Sequence, residues 1–469
     1  MSPTQSRVAL TALLALVAAQ GIWNAAAQRA FWGYDEGGHA GYALAIREQG
    51  LPHPLSGWST FHPPAAHLVG AAAWSLAEPF GPRASLVALR LPSLLGLLAA
   101  VVAVFGISRR LGASDALALC AAAMCAELPV AQLAGSMIGN EGFCAGASAL
   151  ALWALVRLEK DPRRLRLAVA AGAFAGLAAA SKYTGLWSVA ACAVPFARRG
   201  LDRRGLRAAA ACAACAVAVA GPAYLRNLAA TGSLLPMTRE REPMRSSEER
   251  LSAGARRVSD YLAIPWDCGR YPYVAVVADG GIWAGLNPAM RSVPCLAYAG
   301  LWFDPFGLRA NRTGPRDGVG WGVALLYSGL VPTLVAVFGL GHMVLRCARS
   351  RGRALEAPLV AQCALGLTSF VAFTALAPSL AAAKSSYLLP LLAPGGAAFA
   401  RGCALLPRPA RRAAVALSLV AAALGGFVFT TGTVFAPART DLSLAYWTHA
   451  GDALPGSWIS EAARRLLSP

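Results

Sequence analysis

Asp35 and Glu36 stand side by side in the run Tyr34-Asp35-Glu36-Gly37-Gly38-His39, shortly beyond an apolar stretch at 8–27. That stretch is long enough to cross a bilayer as a helix, so the two carboxylates fall at the mouth of a membrane domain. Ionisable groups there are costly, and a site is the default reading. In an extended loop adjacent side chains point to opposite sides, so the pair is not expected to share one reacting atom. A division of labour follows: one carboxylate takes a proton from a hydroxyl, and the other orients a group or the loop. In a water-soluble protein the same pair would read as two solvated loop residues. Here Phe31, Trp32, Tyr34 and His39 argue for partial burial.

Four of the six histidines, His39, His53, His62 and His67, crowd into the same loop, His62 within Phe61-His62-Pro63-Pro64. Histidine with carboxylate could hold a divalent ion. The spacings match no standard ligand set, and hydrogen bonding within the loop is the commoner use, so no metal ligand is assigned and no other cofactor is implied. Asn140-Glu141 opens a later apolar run. A carboxylate at a helix N-terminus is favourable in itself, and it could equally complete a polar cavity with Asp35. Lysine is scarce, with 39 of the 42 basic residues being Arg, yet Lys182 and Lys384 both fall at span ends on the side of Asp35. An ammonium there can bind phosphate as a compact point charge, or snorkel to the interface. Arg226 would join them.

The elements that must position these groups are membrane helices. The chain is 57% hydrophobic and 14% charged, with a mean hydropathy of +0.50. This composition excludes an ordinary soluble enzyme. Apolar runs fall at about 8–27, 86–106, 115–134, 142–157, 165–181, 184–197, 206–225, 319–345, 357–380, 387–405 and 413–435. The reading is an all-α polytopic membrane protein of about eleven transmembrane helices over 1–435, with short amphipathic helices in its exterior loops. Arg7, Arg109-Arg110 and the basic turns at 157–166, 198–207, 346–353 and 401–412 all fall on one side when the spans alternate. They carry half of the Lys and Arg, which fixes that side as cytoplasmic and absorbs much of the +19 charge. Scattered over short turns, this charge does not describe a nucleic-acid surface. Ala25-Ala26-Ala27 also fits a signal-peptide cleavage site, and in either case Asp35 lies outside.

Three exterior segments follow: 28–85, 226–318 and a tail at 436–469. In the first, Ala40–Gln49 reads as a short helix stopped at Gly50, and 63–78 as a helix opened by two prolines and lying along the interface. In the second, 237–260 is charged but balanced and could gate substrate. Cys268 and Cys295 share that loop, where an oxidising compartment would allow a disulfide. Gly172 and Gly176 form a GxxxG pair suited to helix packing.

In order along the chain, these motifs resemble the GT-C superfamily of multispanning glycosyltransferases, in particular protein O-mannosyltransferases and bacterial aminoarabinose transferases. The acidic motif at Asp35-Glu36 is matched, and so are Arg90-Leu91-Pro92-Ser93, Arg226-Asn227 with Thr231-Gly232-Ser233-Leu234-Leu235-Pro236, and Lys384-Ser385-Ser386-Tyr387-Leu388-Leu389-Pro390. The charged residue that precedes Pro-Pro in the group is replaced by His62.

The resemblance implies a GT-C-type bundle and an inverting transfer of a sugar from a polyprenyl-phosphate carrier to an acceptor hydroxyl on lipid, glycan or protein. Asp35 would be the base, with Glu36 beside it as a catalytic carboxylate. Tyr34, His39, His62, Asn140, Glu141, Lys182, Arg226, Lys384 and Tyr387 would bind substrate. The partners would be the lipid-linked donor, the acceptor and membrane lipids, with no nucleic acid. The site would lie outside a bacterial inner membrane, the abundance of Ala and Arg over Lys pointing to a GC-rich genome. The rival from another class is a transporter or flippase, which would place polar groups near midspan at broken helices. A polysaccharide ligase or polymerase would share the donor and join larger glycans.

Overall fold

In a computed structural model, residues 1–28, 33, 35–57, 59–197, 202–236, 256–265, 277–278, 281–282, 291–303, 317–350, 354–377 and 380–434 are described. Among the described residues the regular elements are helices, apart from a two-residue antiparallel ladder pairing Val277–Ala278 with Gly281–Ile282. Tyr34, Cys268, most of 237–260 and the tail at 436–469 lie outside the described residues.

The first helix, α1 (Pro3–Ala27), begins at a capping box in which Ser2 and Gln5 satisfy one another's backbone N–H groups. Then come α2 (Glu36–Gln49), α3 (Ala65–Ala77) and α4 (Pro82–Arg110). The short α2 stops at Gly50, whose φ of 79° suits only glycine, as the sequence indicates, but it starts at Glu36 rather than Ala40. Asp35, in the left-handed region, turns the chain so abruptly that Glu36 is already helical, which places His39 on the helix as well. Helix α3 starts directly after Pro63-Pro64 and packs on α4.

The span expected at 115–134 is two helices, α5 (Asp115–Glu127) and α6 (Pro129–Ser136), whose axes differ by 62°. Pro129 forces the break, because the residue before a proline is driven to extended backbone, and Leu128 has ψ 127°. Next are α7 (Glu141–Leu158), α8 (Leu165–Ala179), α9 (Leu186–Ala191), α10 (Val194–Ala197) and α11 (Arg203–Thr231). The exterior pieces α12 (Ser259–Leu262) and α13 (Val293–Trp302) precede α14 (Asp317–Arg349), α15 (Ala357–Leu376), α16 (Leu392–Leu405) and α17 (Arg408–Val434). Each apolar run is thus helical over most of its described residues. Among the described residues, eight helical segments are long and apolar enough to cross a membrane, nine with the bent pair. The runs at 165–181 and 184–197 give only short helices, which separates the described spans from the expected eleven. Cys295 is disulfide-bonded, and its expected partner, Cys268, lies outside the described residues.

Small residues bring the long helices into backbone contact. A Cβ on Gly172 would run into the Cys212 carbonyl of α11, and one on Gly176 would meet that of Ala216 at 2.8 Å. Close approach of this kind gives dispersion contacts where lipid offers no hydrophobic drive. Gly172→Ala should therefore lower the thermal stability of the detergent-solubilised protein by about 1–3 kcal/mol. Gly341→Ala is the control, since nothing lies within 4 Å of its Cβ position. An equal effect at both positions would refute the packing argument.

Candidate functional site

The site collects at the helix ends opposite the arginine-rich turns. It takes the start of α2, the loop before α3, the start of α7, the segment between α8 and α9, the end of α11 and the 3₁₀ segment Ser385–Leu391 before α16. Asp35 and Glu36 part company there, as adjacent residues in a sharp turn must. Glu36 turns inward: its side chain and that of Arg90 are both fully buried, and Arg90 Nε lies 2.9 Å from Glu36 Oε1. Gly33 N–H donates to Glu36 Oε2 at 2.9 Å and Ile138 N–H to Oε1 at 2.8 Å. The same guanidinium donates from Nη1 to the carbonyls of Ala25 (2.6 Å) and Gln28 (2.8 Å) at the end of α1. Glu36 is thus an anchor for the loop and takes no part in the polar cluster around Lys384.

Asp35 does belong to it. Among the described residues it alone, apart from glycines, has a positive φ, at 55° with ψ 17°. Asp tolerates this conformation better than most side chains, for which it costs roughly 1–2 kcal/mol. Its carboxylate makes no cap bond to α2 and instead meets Lys384 Nζ at 3.0 Å, with the Asp35 side chain 24% and that of Lys384 11% exposed. Burial would push the Asp35 carboxyl up, but the Lys384 ammonium, with His39 and Lys182 behind it, holds it below its ordinary value. Burial works the other way on Lys384, and Asp35 more than offsets it, so that its pKa is raised.

Lys182 and Glu141 form a second ion pair at 2.5 Å, nearly dry, with the Lys182 ammonium 4.9 Å from the centre of the Tyr387 ring. Lys182 is therefore held within the protein and does not snorkel. Glu141 Oε2 has no partner among the described residues. Asn140 serves the frame, its side-chain N–H donating to the Ser181 carbonyl at 3.0 Å.

A stack of imidazoles packs beside the two ion pairs. His39 Nδ1 and His67 Nε2 are 2.8 Å apart, and the His39 ring stacks on His67 (5.1 Å) and His62 (5.7 Å). Burial, aided by the nearby Lys182, pushes all three pKa values down, those of His62 and His67 well down. The facing nitrogens of His39 and His67 hydrogen-bond each other, and among the described residues no group of three or more His, Cys, Asp or Glu is arranged to hold a metal. Arg226 lies at the edge, donating to Tyr42 Oη at 3.1 Å and to the Pro52 carbonyl. It lines a cleft of about 490 Å³ with Leu51, Pro52, Leu68, Val219 and Pro222, open on the flank of α11.

Of the residues singled out from sequence, Asp35, His39, His62, Glu141, Lys182, Lys384 and Tyr387 come together. Asn140 and Glu36 support them from outside, Arg226 stands at the rim, and Tyr34 lies outside the described residues. Arg90, Tyr42 and Tyr183 were not identified as site residues. Arg90 carried a signal, being an arginine just inside an apolar run at its non-basic end. Tyr183, which donates to the Phe61 carbonyl at 2.6 Å, carried none.

Residues 62–223 match the model of the family described as dolichyl-phosphate-mannose-protein mannosyltransferase. No curated protein sequence matches the chain. Among solved structures, the oligosaccharyltransferase of Archaeoglobus fulgidus in complex with zinc and sulfate is similar over 97% of this chain and 57% of its own. The identity is 14% and the TM-score 0.54. The same archaeal enzyme, AglB, with an inhibitory peptide and a dolichol-phosphate gives 14% identity, 98% and 60% coverage, and a TM-score of 0.52. ArnT of Cupriavidus metallidurans bound to undecaprenyl phosphate gives 14%, 97% and 77%, and 0.45. The chain spans less than two thirds of the archaeal enzyme's length. At such identities the likeness is one of fold, and the fold is of GT-C type.

Arg90→Ala should cost roughly 3–5 kcal/mol by stranding the Glu36 carboxylate. Replacing both partners with apolar residues should recover most of that stability but not the loop geometry. Thermal unfolding of the single and double variants decides this, and equal losses in both would refute it. The imidazoles impose a pH dependence of definite sign. The unfolded chain binds protons near its ordinary histidine pKa that the folded chain refuses. The stabilisation is therefore complete above about pH 6.5 and is lost as pH falls below it. Unfolding midpoints between about pH 8 and about pH 5 should show the loss, and His62→Gln should reduce it.

Proposed function

We propose that this chain of GT-C-type fold is an inverting glycosyltransferase. It would move a sugar from a polyprenyl-phosphate carrier to an acceptor hydroxyl on the extracytoplasmic face. One observation carries the reading: the Asp35 carboxylate lies 3.0 Å from Lys384 Nζ in a polar cluster at the end of the bundle remote from the arginine turns. Positive charge is retained on the cytoplasmic side, which would turn this cluster toward a compartment without soluble nucleotide sugars. A lipid-borne phosphate is the natural activated donor there. The match of residues 62–223 to the dolichyl-phosphate-mannose family supports the same donor class.

In this reading the cleft beside Arg226 takes the isoprenoid chain, and Arg226 and Lys384 draw the phosphate in. Lys384 then has two anions to serve. As its ammonium turns toward the donor phosphate, Asp35 loses the charge that depresses its pKa, and burial raises it into a more basic range. Asp35 takes the proton of the acceptor hydroxyl while that oxygen attacks the anomeric carbon. The bond from that carbon to the phosphate oxygen breaks, the electron pair leaves with the phosphate, and the configuration inverts. Lys384 and Arg226 stabilise the developing phosphate charge in a site largely free of water. Lys182, already neutralised by Glu141, fixes the ring of Tyr387. Glu36 sets the height of the loop. The histidine stack, neutral and dry, offers hydrogen-bonding edges to a sugar without competing for the proton.

Transfer of radiolabelled sugar from purified polyprenyl-phosphate donors in proteoliposomes tests this directly. Asp35→Asn should lower kcat by about 10²–10⁴-fold with donor binding kept. Lys384→Met should weaken donor binding as well. Normal transfer by Asp35→Asn, or substrate flux across the membrane without transfer, would overturn the reading.

A further inference from the structure

A carboxylate that the reaction does not use is buried in the middle of the bundle. Glu127 is the last residue of α5, about 18 Å along the helix from Asp115, well inside a hydrocarbon core about 30 Å thick. An ionisable side chain at that depth is costly and is a functional hypothesis by default. It stands where the span breaks, immediately before Leu128-Pro129.

From Glu127 a chain of hydrogen bonds runs to the catalytic loop. Gln132 Nε2 donates to Glu127 Oε2 at 3.2 Å and to the Ala126 carbonyl at 2.8 Å, bridging the break. Asn24 of α1 donates to Gln132 Oε1 at 3.4 Å. One turn further along α6, Ser136 Oγ lies 2.8 Å from the Gln132 carbonyl and 3.4 Å from Gln28 Oε1. The Gln28 carbonyl accepts from Arg90, which holds Glu36. Beyond the end of α6, Ile138 N–H donates to the same Glu36 oxygen. Both routes from the break converge on the carboxylate that anchors Asp35. On the other side, Glu127 and Gln20 face Gly426 of α17, where a Cβ would collide with Glu127 Oε2 and lie 3.1 Å from Gln20 Nε2.

We propose that Glu127 is a positioning residue for the transfer reaction. By fixing the direction of α6 after the break, it sets the place of Ile138 and Arg90, hence of Glu36, and hence of Asp35 beneath Lys384. The proposal rests on the transferase reading. Its energetic logic is that a loop misplaced by about 1 Å can cost about a hundredfold in rate while leaving the fold intact.

Three variants test it by steady-state transfer, donor binding and thermal unfolding. Glu127→Ala should lower kcat about tenfold to a hundredfold, with KM and donor binding little changed. Glu127→Gln keeps an acceptor for Gln132 and should restore most of the rate, which a need for charge would not allow. Gly426→Ala displaces only a side-chain tip, so it should lower kcat with little change in unfolding temperature. Added to Glu127→Ala, where there is no carboxylate to displace, it should do no further harm. Wild-type rates in Glu127→Ala, equal losses in the Ala and Gln variants, or additive losses with Gly426→Ala would each overturn the proposal. Should Glu127→Ala not fold, the Gln and Gly426→Ala variants decide alone. Absence of transfer by the wild-type protein would sink the transferase reading and this proposal with it. An active wild type with indifferent variants would sink this proposal only.

Discussion

The fully buried Glu36–Arg90 pair is the constraint on which the site depends. It joins the end of α1, the start of α2, the first third of α4 and the turn after α6 through one guanidinium and one carboxylate. Two charges removed from water are favourable only when every remaining donor and acceptor is served. Here two backbone carbonyls take the guanidinium protons and two backbone N–H groups take the carboxylate lone pairs. The geometry that results leaves little freedom to the preceding residue. Asp35 is held in a left-handed conformation with its carboxylate toward Lys384.

Electrostatics in the cluster are nearly balanced and therefore adjustable. Asp35 with Lys384 and Glu141 with Lys182 form two ion pairs, and the imidazoles between them are driven toward neutrality by burial. An added anion would upset this balance on the cation side, because each ammonium is already matched to one carboxylate. The dry surroundings make each of these interactions stronger than it would be in water.

Some of this was legible in the chain. The one-sided distribution of arginine, the acidic motif after the first span and the lysines at the ends opposite the basic turns pointed to the end of the bundle where Asp35, Lys384, Lys182 and Glu141 come together. Gly50 and Pro63-Pro64 gave the end of α2 and the start of α3, because each acts through local backbone geometry. The start of α2 was misjudged by four residues, since nothing local announces that Asp35 will adopt a positive φ. The break at Leu128-Pro129 was missed because mean hydropathy stays high across it despite Glu127, so the two helices read as one apolar run.

By itself the sequence determined the class of fold, the positions of the long apolar helices and the end of the bundle at which the carboxylates and lysines gather. These are sums of local quantities: transfer free energies, loop charge, backbone preferences. Only the tertiary structure decided that Glu36 faces Arg90 while Asp35 faces Lys384, 349 residues away, and that Lys182 belongs to Glu141. It alone revealed the thread of hydrogen bonds from Glu127 to the loop that carries Asp35 and Glu36. In a membrane a helix is apolar on every side, so periodicity does not say which face turns inward. Charge pairing is then settled by how the helices pack.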